Sequence, residues 1–154
     1  MENAGIISIY LDVCCLNRPF DDQSQARVRL EAESIRLILE RITSGEWRWI
    51  GSEAMHDEVA QTPDPERRSQ LSTFMRSMRT MVEVGDHTIA RAAELISVGF
   101  RDFDALHLAC AEIGSVDVFL TTDDRLLRTA RRIGRAIHIR VENPLSWLTE
   151  ITKP

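Results

Sequence analysis

The chain has only three cysteines, and none is placed to bridge: Cys14 and Cys15 are adjacent, and Cys110 lies within a helical pattern. Adjacent cysteines make poor disulfide geometry. A disulfide-stapled scaffold is therefore excluded, and a reducing compartment is expected. The histidines, at 56, 87, 107 and 138, show no spacing with the cysteines that a zinc site would need. No apolar stretch approaches the ~18 residues of a membrane span. The start, Met1-Glu2-Asn3-Ala4-Gly5, lacks the basic region of a signal peptide. A cytoplasmic protein without membrane contact is the expectation. Internal repeats, low-complexity segments and long linkers are absent too, so 154 residues at 44% hydrophobic read as one domain, 1–154, with a real core.

Lysine is scarcer still. Of 19 basic residues 18 are arginines, and the single lysine is Lys153. The net charge of −5 argues against a nucleic-acid partner on average, since phosphate binding is driven by basic residues. The arginines are not evenly spread, however. Arg125, Arg128, Arg132 and Arg135 recur at three- and four-residue steps on a helix that begins beside Asp123, and Arg18 sits in the loop after Asp12. Arginine presents a planar fork suited to bidentate phosphate contact. Taken singly, each of these residues reads equally as part of a solvated helix face.

What the chain does have is alternation. Strand-like runs at Ile6–Leu11, Trp47–Gly51, Met81–Val84, Val116–Thr121 and Ile137–Val141 are separated by helical patterns. The main helices are expected over Gln25–Thr43, from Ser52 to about Gln61, from Asp64-Pro65 through Met78, from Asp86 to Val98, over Asp102–Ile113, over Asp124–Ile133 and after Asn143-Pro144. Strands alternating with helices predict βαβ units and a parallel sheet covered on both faces. Leu16–Ser24 reads as a substantial polar loop directly after Asp12.

Four acids stand where such a sheet would gather them: Asp12 and Asp123 just past strand-like runs, Glu58 on the helix after the second strand, and Asp104 early in the helix before the fourth. Clustered carboxylates with water suit magnesium or manganese, and a metal site of this kind serves phosphodiester displacement. Each acid alone has a plainer reading. Asp12 could be a turn residue, Asp123 a helix N-cap, Asp104 a complement to the helix dipole and Glu58 a solvated surface acid.

Tyr10-Leu11-Asp12, then Glu58 within Ser52–Val59, then Asp104-Ala105-Leu106-His107-Leu108-Ala109, then Leu120-Thr121-Thr122-Asp123 resembles the PIN-domain nucleases over the whole chain. The resemblance implies a three-layer α/β/α sandwich with a five-stranded parallel sheet. It further implies a Mg2+- or Mn2+-dependent endoribonuclease with Asp12, Glu58, Asp104 and Asp123 as catalytic and metal-binding residues, an RNA substrate, and often the toxin role opposite an antitoxin in a VapBC-type pair. Where the family often sets a small hydroxyl residue within two positions of the first aspartate, Val13 and Cys14 stand here. A non-enzymatic alternative is a PIN-like domain that binds nucleic acid or a partner without cleaving. A receiver or haloacid-type phosphotransfer domain is disfavoured, because Lys153 lies at the extreme C-terminus and Asp12 has no second acid two positions on. His107, among Ala105, Leu106, Leu108 and Ala109, reads as a packed or hydrogen-bonded histidine outside the site. A homodimer is expected from the apolar face of Phe74, Met75 and Met78.

Overall fold

A computed structural model of the chain describes residues 5–154; Met1–Ala4, part of the segment read above as lacking a leader, lie outside them. Five parallel strands form one sheet in the order β3-β2-β1-β4-β5. They are β1 (Ile7–Leu11), β2 (Trp47–Ser52), β3 (Thr80–Val82), β4 (Val118–Leu120) and β5 (Arg140–Glu142). The helices are α1 (Val13–Asn17), α2 (Ala26–Thr43), α3 (Glu53–Ala60), α4 (Pro65–Phe74), α5 (Asp86–Ser97), α6 (Asp102–Ile113), α7 (Asp124–Ile133) and α8 (Pro144–Ile151). No helix among the described residues is long and apolar enough to cross a membrane.

Alternation along β1 assigns the layers. Ile7 and Ile9 pair in register with Trp47 and Trp49, so these four side chains share one face. Trp147 of α8 meets Trp47 there at 4.9 Å between ring centroids, and α2 packs against α8. Tyr10 points to the opposite face. It stacks on its register partner Phe119 and reaches His107 of α6, which carries α5 along its side. The result is a three-layer α/β/α sandwich. Ile9, Tyr10, Leu11, Trp49, Phe119 and Leu120 are fully buried, as strands covered on both faces require. The tryptophans are core residues, and Trp49 keeps its indole N–H without a partner.

The edge strands differ from expectation. β3 lies one residue early and is short, and β5 starts only at Arg140, opposite Val118. Gly134, at φ 60°, breaks α7, a 3-10 turn follows through Ala136, and Ile137 is spent as a core plug before pairing can begin. An apolar run thus marks burial there rather than strand.

The expected polar loop after Asp12 is instead ordered helix and strap. Val13, Cys15 and Leu16 bury the inner side of α1, and Arg18–Phe20 form a 3-10 turn. Arg18 Nε donates to Glu31 at 2.8 Å and its Nη1 to Asp21 at 3.3 Å. Arg67 donates to the Phe20 carbonyl at 2.6 Å, and the Gln23 amide closes onto the carbonyls of Arg18 and Asp21. Glu31, 1% exposed, also takes Arg27 and Asn143, so its buried charge is fully partnered.

The apolar face of Phe74, Met75 and Met78 is used internally. Phe74 stacks on Phe20, Met75 is buried, and Met78 lies so close over Gly51 that a Cβ there would come within 1.9 Å of its sulfur. Much of that face is thus spent within the chain, while Phe74 and Met78 stay partly exposed.

Candidate active site

The strand order places a topological switch at β1: the chain moves outward to β2 and β3 on one side, then returns to β4 and β5 on the other. In open α/β sheets the crevice beyond the carboxyl ends of the strands at this point is where ligands bind. Asp12 and Asp123 flank it. The Asp12 amide donates to the Leu120 carbonyl at 2.9 Å, which extends the β1–β4 pairing by one residue and brings Asp12 against the end of β4.

Asp12 is 5% exposed and nearly all of its acceptor capacity is directed. Oδ1 takes the Val13 amide at 2.9 Å, capping α1. Oδ2 takes the Thr121 hydroxyl at 2.8 Å and the Cys14 thiol at 3.5 Å. The hydroxyl missing after Asp12 in sequence is therefore supplied from the end of β4. Thr121 Oγ1 also accepts from the Asp123 amide at 3.1 Å, so one buried side chain orients two of the acids. The sequence reading passed over Thr121. Its signal was present in Thr121-Thr122-Asp123, a small hydroxyl residue two positions before an acid.

Asp123 caps α7, accepting from the amides of Arg125 at 2.9 Å and Leu126 at 3.2 Å. The cap role weighed for it is real and leaves the half-buried carboxylate facing the crevice edge. Asp104 lies in the first turn of α6 and is half-buried. Burial first, then the charges of Asp12 and Asp123, push its carboxyl up to about 6, with Glu58 adding and His107 opposing. Burial likewise raises Asp12, with Glu58 adding and His107, Thr121 and Cys14 opposing. Asp104 thus lies within electrostatic reach of Asp12, Asp123 and Glu58, and Asp12 within that of Glu58. Asp57, Asp102 and Asp124 are exposed, and Asp124 is clamped by Arg27 at 2.6 Å and 2.7 Å.

His107 is where the structure corrects the sequence reading. It is fully buried and hydrogen-bonded, as expected, yet it lies inside the site: Nε2 is 2.8 Å from Glu58 Oε1. Donor atoms of Asp12, Glu58 and His107 all fall within 4.8 Å of one another. The reason is helical. His107 follows Asp104 by three residues, so both project from the same side of α6. Burial works against charge on the imidazole, but the Glu58 bond and the charges of Asp12, Glu58 and Asp104 outweigh it and raise its pKa.

The arginines divide. Arg125 and Arg128 are exposed near the start of α7, and Arg128 lines a pocket with Arg27, Arg131 and Asn143. At about 1.5 Å rise per residue, Arg132 lies roughly 10 Å further along α7 than Arg125, and Arg135 falls past the end of that helix, in the 3-10 turn Gly134–Ala136. Arg132 is turned onto the Val98 carbonyl at 3.1 Å. Arg18 is held by Glu31 and Asp21. The stripe therefore leads away from the crevice, with only its first members beside it.

Comparison with known proteins agrees with this architecture. Among curated proteins none matches the sequence. One matching solved structure is the crystal structure of VapBC2 from Rickettsia felis bound to a DNA fragment from their promoter, at a TM-score of 0.57 and 13% identity, covering 89% of this chain and 98% of that one. That likeness concerns the fold. The PIN domain family model matches residues 9–132, a span that includes Asp12, Glu58, Asp104 and Asp123. The chain belongs to the PIN domain family, whose members are generally metal-dependent nucleases.

Proposed function

We propose that this protein is a cytoplasmic endoribonuclease that depends on Mg2+ or Mn2+ and serves as the toxin of a type II toxin–antitoxin pair. The observation that carries the reading is the crowding at the switch point, where donor atoms of Asp12 and Glu58 come within 4.8 Å of each other and burial, then the charges of Asp12 and Asp123, raise the Asp104 carboxyl. Carboxylates so placed repel one another as anions, and a cation among them offsets that repulsion. The donor set fits such an ion, since carboxylate oxygens are the ligands that magnesium and manganese take. Asp12, Glu58, Asp104 and Asp123 would hold it. Bound there, the ion would supply charge neutralisation at the phosphodiester and a more acidic water. Asp12 is preset by the Val13 amide and Thr121 hydroxyl, and Asp123 by its place at the cap of α7. Arg125 and Arg128 are the arginines best placed for RNA phosphates, while Arg18 contributes by fixing the strap beside the crevice.

The likeness in fold to VapBC2 supports an antitoxin partner. Apolar side chains open to a second copy of the chain are the partly exposed Phe74 and Met78 together with Leu30, Ile89 and Ile96.

The test is RNA cleavage by the purified chain with Mg2+ or Mn2+ and in excess chelator. Cleavage should require the metal and fall by orders of magnitude in Asp12→Asn, Glu58→Gln, Asp104→Asn and Asp123→Asn, with Asp57→Asn and Asp102→Asn close to wild type. Undiminished cleavage in chelator would overturn the reading. RNA binding without cleavage in either metal would favour the non-catalytic alternative.

A further inference from the structure

His107 is the buried titratable group that the nuclease reading leaves without a task. Both of its ring nitrogens are engaged, Nε2 at 2.8 Å from Glu58 Oε1 and Nδ1 at 2.6 Å from the Tyr10 hydroxyl. The chain of bonds continues from Tyr10 Oη to Ser52 Oγ at 2.6 Å, and Ser52 Oγ accepts from the Met55 amide at 3.2 Å. Its ends are fixed in kind, because a backbone N–H only donates and a carboxylate only accepts. With a neutral imidazole, one assignment satisfies every link: Met55 donates to Ser52, Ser52 to Tyr10, Tyr10 to Nδ1, and the ring proton sits on Nε2. With an imidazolium, Nδ1 donates to Tyr10, whose proton turns to Ser52. In both states a proton on Nε2 faces Glu58. Burial holds the Tyr10 hydroxyl well above its ordinary pKa, so it stays a donor.

We propose that His107 is a positioning residue for the metal site, turning one oxygen of Glu58 inward through the chain Ser52–Tyr10–His107 and leaving the other for the cation. The inference rests on the nuclease reading and deepens it. The chain joins three elements: Tyr10 lies on β1 two residues before Asp12, His107 on α6 three residues after Asp104, and Ser52 caps α3, which carries Glu58. The three elements that carry Asp12, Asp104 and Glu58 are thereby tied together before any ion arrives. A glutamate already held in its binding rotamer loses less freedom when it binds. A hydrogen-bond partner of a ligating carboxylate is typically worth about 10–100-fold in metal affinity.

The experiment measures Mn2+ affinity directly, from the free-ion electron paramagnetic resonance signal, on the full chain at a temperature where every variant is folded. His107→Leu should weaken Mn2+ binding by about 10–100-fold. His107→Gln, whose amide N–H2 reaches the place of Nε2, should recover most of that loss. Tyr10→Phe removes one oxygen and leaves the ring on Phe119; Nδ1 then loses its partner and the imidazole is held by Glu58 alone, so affinity should fall in the same direction. A merely structural role would lower the melting temperature of all three variants without this ordering of affinities. If His107→Leu does not fold, the other two variants decide. Wild-type affinity in Tyr10→Phe, or Gln as weak as Leu, overturns the inference. A wild-type chain that takes up no Mn2+ overturns the nuclease reading and this inference with it, and the two failures are thus distinguishable.

Discussion

Removing the Asp104 charge should stabilise the metal-free protein, increasingly as pH rises from about 4 and fully above about 6. The folded carboxyl stands at about 6 against an ordinary value of 3.8. The native state therefore binds a proton more readily than the unfolded chain between those two values. Stability from this group is fully present below about pH 4 and is lost as pH rises through about 6. At about 1.36 kcal/mol per pKa unit, the full shift corresponds to roughly 3 kcal/mol. Asp104 is only half-buried, and solvent screening reduces this to about 1–2 kcal/mol. For a domain of this size that is roughly 2–8 °C in melting temperature. Asp104→Asn and wild type should be compared by thermal unfolding in chelator across this range. The variant should melt higher at about pH 7 and approach wild type at about pH 4, where Asp104 is already neutral. Added Mn2+ should reverse the order at neutral pH, because only the wild type keeps the ligand. Equal melting of the two proteins at neutral pH in chelator would refute the crowding on which the site assignment rests.

Thr121→Val should loosen two acids at once, since it removes the donor to Asp12 and the acceptor for the Asp123 amide. We expect a loss of about 1–3 kcal/mol in denaturant unfolding, restored by Thr121→Ser; a Val variant as stable as the Ser variant would show that the hydroxyl orients nothing. On the nucleic-acid side, Arg125→Gln with Arg128→Gln should flatten the salt dependence of RNA binding by roughly one log–log unit per lost phosphate contact. Arg132→Gln should leave the slope unchanged, because that guanidinium is turned to the Val98 carbonyl; equal effects would return the whole stripe to the RNA surface.

The central strands were legible because their signal is local. Ile7–Leu11 and Trp47–Ser52 are apolar runs buried on both faces, and such burial leaves the same mark wherever the chain goes. The alternation of strands and helices set all four acids at one edge of the expected sheet, Asp12 and Asp123 just past strands and Glu58 and Asp104 on helices, and the family resemblance lifted the four together above their plainer readings. The edge strands were less legible, since β5 begins where Val118 offers a partner and not where the apolar run begins. Helix periodicity marked Met75 and Met78 as apolar but could not say whether they face the core or a second chain; Gly51, far off in sequence, decides that. The strap at Arg18–Gln23 read as loop because its polar groups are satisfied by Glu31 and Arg67 rather than by a regular ladder. The site's supporting side chains needed the fold most of all. Thr121 meets Asp12 across 109 residues, and Tyr10 meets His107 across 97. Sequence by itself determined which residues are acidic, which segments are buried and in what order strands and helices follow. Tertiary structure alone decided which hydroxyl, imidazole and carboxylate share a crevice, because a hydrogen bond depends on distance in space and leaves no period along the chain.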